Sequence, residues 1–250
     1  MVALADAVGP EERLYVFGDI HGCREALDQL WARVEADLAA HPTEAWRLVL
    51  LGDYVDRGAD NPGVLDWVGE RLAEGRTTAL LGNHDAMFLD AMESAESPSL
   101  EGWLTYGGMQ TIASYGVLPP GTWEEWPATR EQLLEAVPEA HRTLIAGLDR
   151  MHRAADYLFV HAGIDPDRAI EDQREEDLIW IRGPFLHSIA DFGPVVVHGH
   201  TPVGEVEIYT HRIALDTGAV FGGELTCLVI DGTERRLFSV PGPPSARRRG

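Results

Sequence analysis

The chain has 250 residues, 45% of them hydrophobic, and a formal net charge of −21. That length can build one substantial core, and that charge disfavours a nucleic-acid groove, which needs a basic stripe. All 20 basic residues are arginine, which excludes a P-loop lysine, a Schiff-base lysine and a Ser-Lys dyad. Any phosphate must therefore be gripped by arginine, metal or backbone.

Two cysteines, Cys23 and Cys227, are too few for a disulfide framework. No apolar run approaches the ~20 residues that cross a bilayer. The first 13 residues carry an early Asp6 and no basic start, so no secretory signal is expected. The expectation is a reduced, cytoplasmic protein with no nucleic-acid or membrane partner.

In chain order, Arg13–Phe17 reads as a short buried strand that runs into Gly18-Asp19-Ile20-His21-Gly22. Behind it Ala26, Leu27, Leu30, Trp31, Val34 and Leu38 recur at helical spacing. A second strand, 47–51, runs into Gly52-Asp53-Tyr54-Val55-Asp56-Arg57-Gly58, and Asn61-Pro62-Gly63 opens a second amphipathic helix. A third strand, 77–81, ends in Gly82-Asn83-His84-Asp85. Three strand–motif–helix units in succession predict an α/β fold with a parallel sheet and crossover helices.

Residues 86–156 change character. A helix is expected around Met87 to Met92 and one or two more over 133–148, with a section rich in Gly, Pro and Trp between them. This stretch reads as a mainly helical insertion within a single domain spanning 1–240, with Trp103 and Tyr106 as packing residues. A strand at Tyr157–Val160 then ends in His161-Ala162-Gly163, and one over 194–197 ends in His198-Gly199-His200-Thr201-Pro202. Segments 205–209, 212–215, 225–230 and 236–240 leave no room for helices and predict an antiparallel meander. The Pro- and Arg-rich end, 241–250, reads as a flexible tail.

Strand ends thus deliver Asp19, His21, Asp53, Asn83, His84, His161 and His200 to one rim, where open α/β sheets bind ligands. Oxygen and imidazole donors in this mixture suit Mn²⁺, Fe or Zn better than Ca²⁺. The absence of cysteine among them argues against a structural zinc knuckle.

These blocks, with Trp180-Ile181-Arg182 and Asp216-Thr217-Gly218-Ala219 further on, resemble the calcineurin-like metallophosphoesterases. Within them they look like the phosphoprotein phosphatases, especially small bacterial and bacteriophage members. The resemblance implies two mixed β-sheets packed face to face and flanked by helices. It implies two divalent ions, Mn²⁺ foremost with Fe or Zn as the others. Asp19 and His21 would bind the first, Asp53 would bridge both, and Asn83, His161 and His200 would complete the second. Two cations about 3.5–4 Å apart repel, so a shared carboxylate is expected between them. A bridging hydroxide would attack phosphorus directly, with His84 as general acid oriented by Asp56. Arg57 and Arg182, with Asn83, would hold the phosphoryl group.

Asp56 favours a phosphomonoester with a basic leaving group, such as phosphoserine, phosphothreonine or phosphotyrosine in proteins. Asp85, where many protein phosphatases have Glu, points instead to a symmetrical dinucleoside tetraphosphatase. A non-catalytic metal scaffold should have lost a ligand or the acid, and none is missing. His198 is expected to be structural but to face the same side as His200. The five histidines outside the motifs, His41, His141, His152, His187 and His211, are expected at the surface.

Overall fold

A computed structural model describes residues 12–244; the first 11 residues and the arginine-rich end, 245–250, lie outside the described residues. The chain runs β1 (Arg13–Phe17), α1 (Arg24–Ala40), β2 (Trp46–Leu50), α2 (Asn61–Ala73), β3 (Thr77–Ala79) and α3 (Asn83–Glu93). Next come α4 (Leu100–Trp103), a π-turn (Leu104–Gly108), α5 (Met109–Ser114), α6 (Trp126–Ala136) and α7 (Glu139–Ala146). The second half holds β4 (Met151–Ala154), β5 (Tyr157–Val160), α8 (Glu175–Trp180), α9 (Gly183–Leu186) and β6 (Val195–His198). It closes with β7 (Glu207–Ile208), β8 (Arg212–Ala214), β9 (Glu224–Asp231) and β10 (Glu234–Pro241).

The strands form two five-stranded sheets, β10-β9-β1-β2-β3 and β4-β5-β6-β8-β7. As the motif spacing predicts, β1, β2 and β3 are parallel neighbours. Strand alternation sorts their side chains onto two faces. Leu14, Val16, Val49 and Leu51 join Phe159, Val197 and Ile213 of the other sheet in the inter-sheet core. Tyr15, Phe17, Leu48 and Leu50 face the helices, against Leu27 and Leu30 of α1 and Val64 and Val68 of α2. Sheets covered on both sides need apolar residues at every position, which is why these strands read as unbroken apolar runs.

Four expectations are corrected. The C-terminal half is not one meander: β7–β8 is a hairpin in the second sheet and β9–β10 a hairpin in the first, with β8 parallel to β6. The insertion stops short of 156, because β4 already belongs to the second sheet, and its Trp-rich middle is the helical run α4–π–α5. The tail begins later than 241: Pro241 ends β10, and the Gly242 amide donates to the Gly223 carbonyl at 2.8 Å.

Finally, His141 and His152 are buried rather than at the surface. The His141 ring bridges Asp66 on α2 (2.9 Å) and the Tyr115 hydroxyl (2.7 Å), and His152 stacks on Phe159. His41 and His187 are exposed and His211 is half-buried. Among the described residues no helix is long and apolar enough to cross a membrane.

Candidate metal centre and acid dyad

Both sheets aim the C-terminal ends of their parallel strands at one seam. Asp19 and His21 follow β1, Asp53 to Arg57 follow β2, and Asn83 and His84 open α3. His161 follows β5 and His200 follows β6. The chain is contorted there. Of six described non-glycine residues with left-handed φ, five are His21, Asp53, Asp56, Arg57 and His200. Each such residue costs about 1–2 kcal/mol, so surrounding contacts must hold it.

One such contact is the carboxylate of Asp85, fully buried beneath the loop. It accepts from the amides of Asp53 (2.8 Å), Tyr54 (2.9 Å), Gly82 (3.0 Å) and Val55 (3.3 Å). Gly82 lies directly against the backbone and carboxylate of Asp53, where any side chain would collide.

Metal-ligating atoms gather in two groups, His21–Asp53–His84 and Asp53–His161–His200, each within 4.8 Å. Asp53 belongs to both. Its Oδ2 lies 3.4 Å from His21 Nε2 and its Oδ1 3.5 Å from His161 Nε2, one oxygen for each group. Asn83 Oδ1 stands 3.0 Å from His161 Nε2 and 2.7 Å from His200 Nδ1.

The donor inventory tests whether ions fit. The Nδ1 of His21 faces the Val55 carbonyl at 2.7 Å, and that of His161 faces the Leu51 carbonyl at 2.9 Å, so each carries its proton there. The His161 Nε2 lone pair then faces the oxygens of Asn83 and Asp53, an arrangement that a cation stabilises, while the His21 Nε2 faces Asp53 and accepts from Arg57. Two donors about 2.1 Å from one ion at right angles sit about 3.0 Å apart, which matches the Asn83–His161 spacing. Burial pushes the His21, His161 and His200 rings down, His200 to about 2, which keeps them in the neutral ligating form.

Charge balance supports the same conclusion. Burial would raise Asp53, but the imidazoles of His161, His84, His21 and His200 outweigh it and hold that carboxyl low. Asp19 accepts the His200 amide at 3.1 Å and is raised by burial and by the nearby charges of Asp216 and Asp53. Asp216, buried beside it, is pushed up to about 6 by burial and by Asp53. Three buried carboxylates in one place repel one another unless cations sit among them. The residues present fit a pair of divalent ions.

His84 and Asp56, expected from the sequence as an acid and its orienting partner, meet directly. His84 Nδ1 lies 2.6 Å from Asp56 Oδ2, with both side chains buried. Asp56 thereby fixes the ring and leaves Nε2 facing the cleft, where the Arg57 guanidinium reaches it at 2.7 Å. Arg57 also donates to His21 and to the Tyr106 carbonyl (3.1 Å), and it stands over the exposed Phe221 ring. Across the site Arg182 donates to Thr201 at 3.0 Å, near exposed Trp180, whose ring packs edge-on to His200. A cleft of about 780 Å³ opens beside Arg57, lined by Gly22, Arg24, Asp28, Asp60, Val220 and Pro244.

Two expectations about side chains change. His198 does not share a face with His200, because β6 ends at His198 and His200 adopts φ 63°, which breaks the alternation. The His198 ring packs edge-on against Phe185, and burial pushes it to about 3. Tyr106 is exposed and contributes its carbonyl rather than its ring. Asp85 and Asp216 sat inside quoted motifs, yet their contacts could not be read there. Trp103 and Thr111 carried no signal at all as site residues.

Residues 12–229 match the family model described as calcineurin-like phosphoesterase. Among curated proteins, the asymmetrical bis(5'-nucleosyl)-tetraphosphatase PrpE of Bacillus cereus strain Q1 is 26% identical, over 90% of this chain and 93% of that protein. Its counterpart from Bacillus anthracis strain CDC 684 is 28% identical over the same shares. A solved candidate diadenosine tetraphosphatase superposes with a TM-score of 0.66 at 24% identity, covering 97% of each chain. A cold-active protein-tyrosine phosphatase from a Shewanella psychrophile superposes at 0.61 with 17% identity, over 95% of this chain and 83% of that one. Both superpositions reflect the shared fold. With its family-model match covering most of the chain, this protein belongs to the calcineurin-like phosphoesterases.

Proposed function

We propose that this protein hydrolyses phosphomonoesters with a basic leaving group, with phosphoserine, phosphothreonine or phosphotyrosine in proteins as the substrate class. The observation that carries this reading is the buried Asp56–His84 pair at 2.6 Å. A leaving group as basic as an alkoxide needs a proton as it departs, and a carboxylate-oriented imidazole supplies one.

Asp19, His21 and Asp53 would hold one divalent ion, and Asp53, Asn83, His161 and His200 the other. Bound there, the pair supplies a nucleophile from water at neutral pH and Lewis-acid charge stabilisation. Mn²⁺, Fe or Zn suits the donor set. Arg57 and Arg182 grip the phosphoryl oxygens from opposite sides of the centre. As the bond from phosphorus to the leaving oxygen breaks, the oxygen of a water that has already lost one proton to solvent bonds phosphorus from the far side. The His84 imidazolium gives its Nε2 proton to the departing oxygen and ends neutral, while Asp56 keeps the Nδ1 proton in place.

A second reading, cleavage of dinucleoside tetraphosphates, draws on the names of the Bacillus relatives. It also draws on the exposed rings of Phe221 and Trp180, one beside each half of the centre, which could stack bases. The test is kcat/KM of Mn²⁺-loaded protein on phosphopeptides beside diadenosine tetraphosphate. Phosphopeptide preference is expected; a hundredfold preference for the dinucleotide would overturn the first reading in favour of the second.

A further inference from the structure

The helical insertion, which on composition looks like packing, reaches the reaction centre through two residues, Asp56 and Arg57. Asp56 is wholly buried and sits at φ 75°. Its Oδ2 faces His84, while its Oδ1 accepts two bonds from the insertion: the indole N–H of Trp103 at 2.9 Å and the Thr111 hydroxyl at 2.5 Å. The direction of the second bond is fixed. Thr111 Oγ1 accepts the Asp56 amide at 3.0 Å, so its single proton is left for Oδ1.

The groups that make these bonds are themselves immobile. Trp103 is packed between Phe88 and Trp126 at 5.9 Å from each, and Gly108 lies flat against its indole. Between Trp103 and Thr111 the chain makes the π-turn, with Gly107 at φ 140°. That turn brings the Gly107 carbonyl to the Arg57 amide at 3.2 Å. A side chain on Gly107 would collide with Arg57 and with the Cβ of Asp56. A π-turn that presents carbonyls to a loop residue is typical of functional sites.

We propose that Trp103 and Thr111 are positioning residues for proton delivery to the leaving group. By holding Asp56 Oδ1 they stop the carboxylate from rotating, and so aim Oδ2 at His84 Nδ1. This rests on the reading of His84 as the acid.

The test compares phenyl phosphate with p-nitrophenyl phosphate, which bind alike but differ in how much the leaving oxygen needs a proton. Losing His84 should slow the phenyl ester about 10²–10⁴-fold and the nitrophenyl ester far less. Thr111→Val, which keeps shape but has no hydroxyl, should slow phenyl phosphate about 10- to 50-fold and the nitrophenyl ester less than about 3-fold, a part of the full acid effect. Thr111→Ser should restore the rate, and Trp103→Phe should repeat the leaving-group bias with the ring retained. Melting temperature and bound metal, measured on each variant, check that it is folded; if Thr111→Val does not fold, Trp103→Phe decides. Equal losses on both esters, or no loss, would overturn the positioning role. Equal losses in His84→Asn would overturn the acid assignment instead.

Discussion

The two sheets contribute unequally to the centre. The second sheet brings His161 and His200, two imidazoles that are candidate ligands for one ion. The first sheet brings candidate ligands as well, Asp19, His21, Asp53 and Asn83, and carries the proposed acid His84, its partner Asp56 and the proposed clamp Arg57 in the loops that follow its strands. At the centre, four residues of its loops sit at left-handed φ against one, His200, from the other sheet. The strain follows the workload. Several side chains from one short loop can converge only if the backbone turns sharply, and the Asp85 carboxylate and the insertion hold it in that shape.

The largest effect should come from the residue that both halves share. Asp53→Asn should release both ions together and lower turnover about a thousandfold or more, the several kcal/mol that a metal pair supplies. Metal content of the purified variant checks this, and retention of one full equivalent would contradict the bridging role. His84→Asn should keep both ions and lose about 10²–10⁴ in turnover on esters with basic leaving groups; loss of metal would place His84 among the ligands.

His161→Ala should empty only the second-sheet position, leaving about one ion per chain by elemental analysis. Two retained ions would break the division between the sheets. The smallest effect on chemistry, though still a clear one on folding, should be Asp85→Asn. It replaces an acceptor of four amides by a group with its own N–H, at a cost of about 1–3 kcal/mol. For a domain of this size that is a fall in Tm of several degrees. An unchanged Tm would show that the loop keeps its shape without that carboxylate.

The placement of the loop motifs at strand ends held because each motif directly follows an apolar run. A strand that ends in Gly-Asp fixes where the acid lies, whatever the rest of the chain does. The surface readings of His141 and His152 failed, and the link from Trp103 to Asp56 went unread, for the opposite reason. Asp66 and Asp56 lie far from His141 and Trp103 in sequence, and Phe159 meets His152 only once β4 and β5 pair as a hairpin; no local pattern marks these contacts. The same holds for the last four strands. Their close spacing showed that they were strands, but not that β8 joins β6 while β9 joins β1.

From sequence alone, then, come the parallel units, the candidate ligand types, the absence of lysine chemistry and the choice of Asp53, His84 and Arg57 as candidate working residues. These are local properties: apolar period, loop chemistry and donor type. Only the tertiary structure decides which oxygen of Asp53 faces which histidine, that His198 turns away while His200 turns in, and that an indole and a hydroxyl from a distant insertion hold Asp56. Those facts are distances between segments far apart in the chain, and they exist only once two packed sheets and a helical layer have set them.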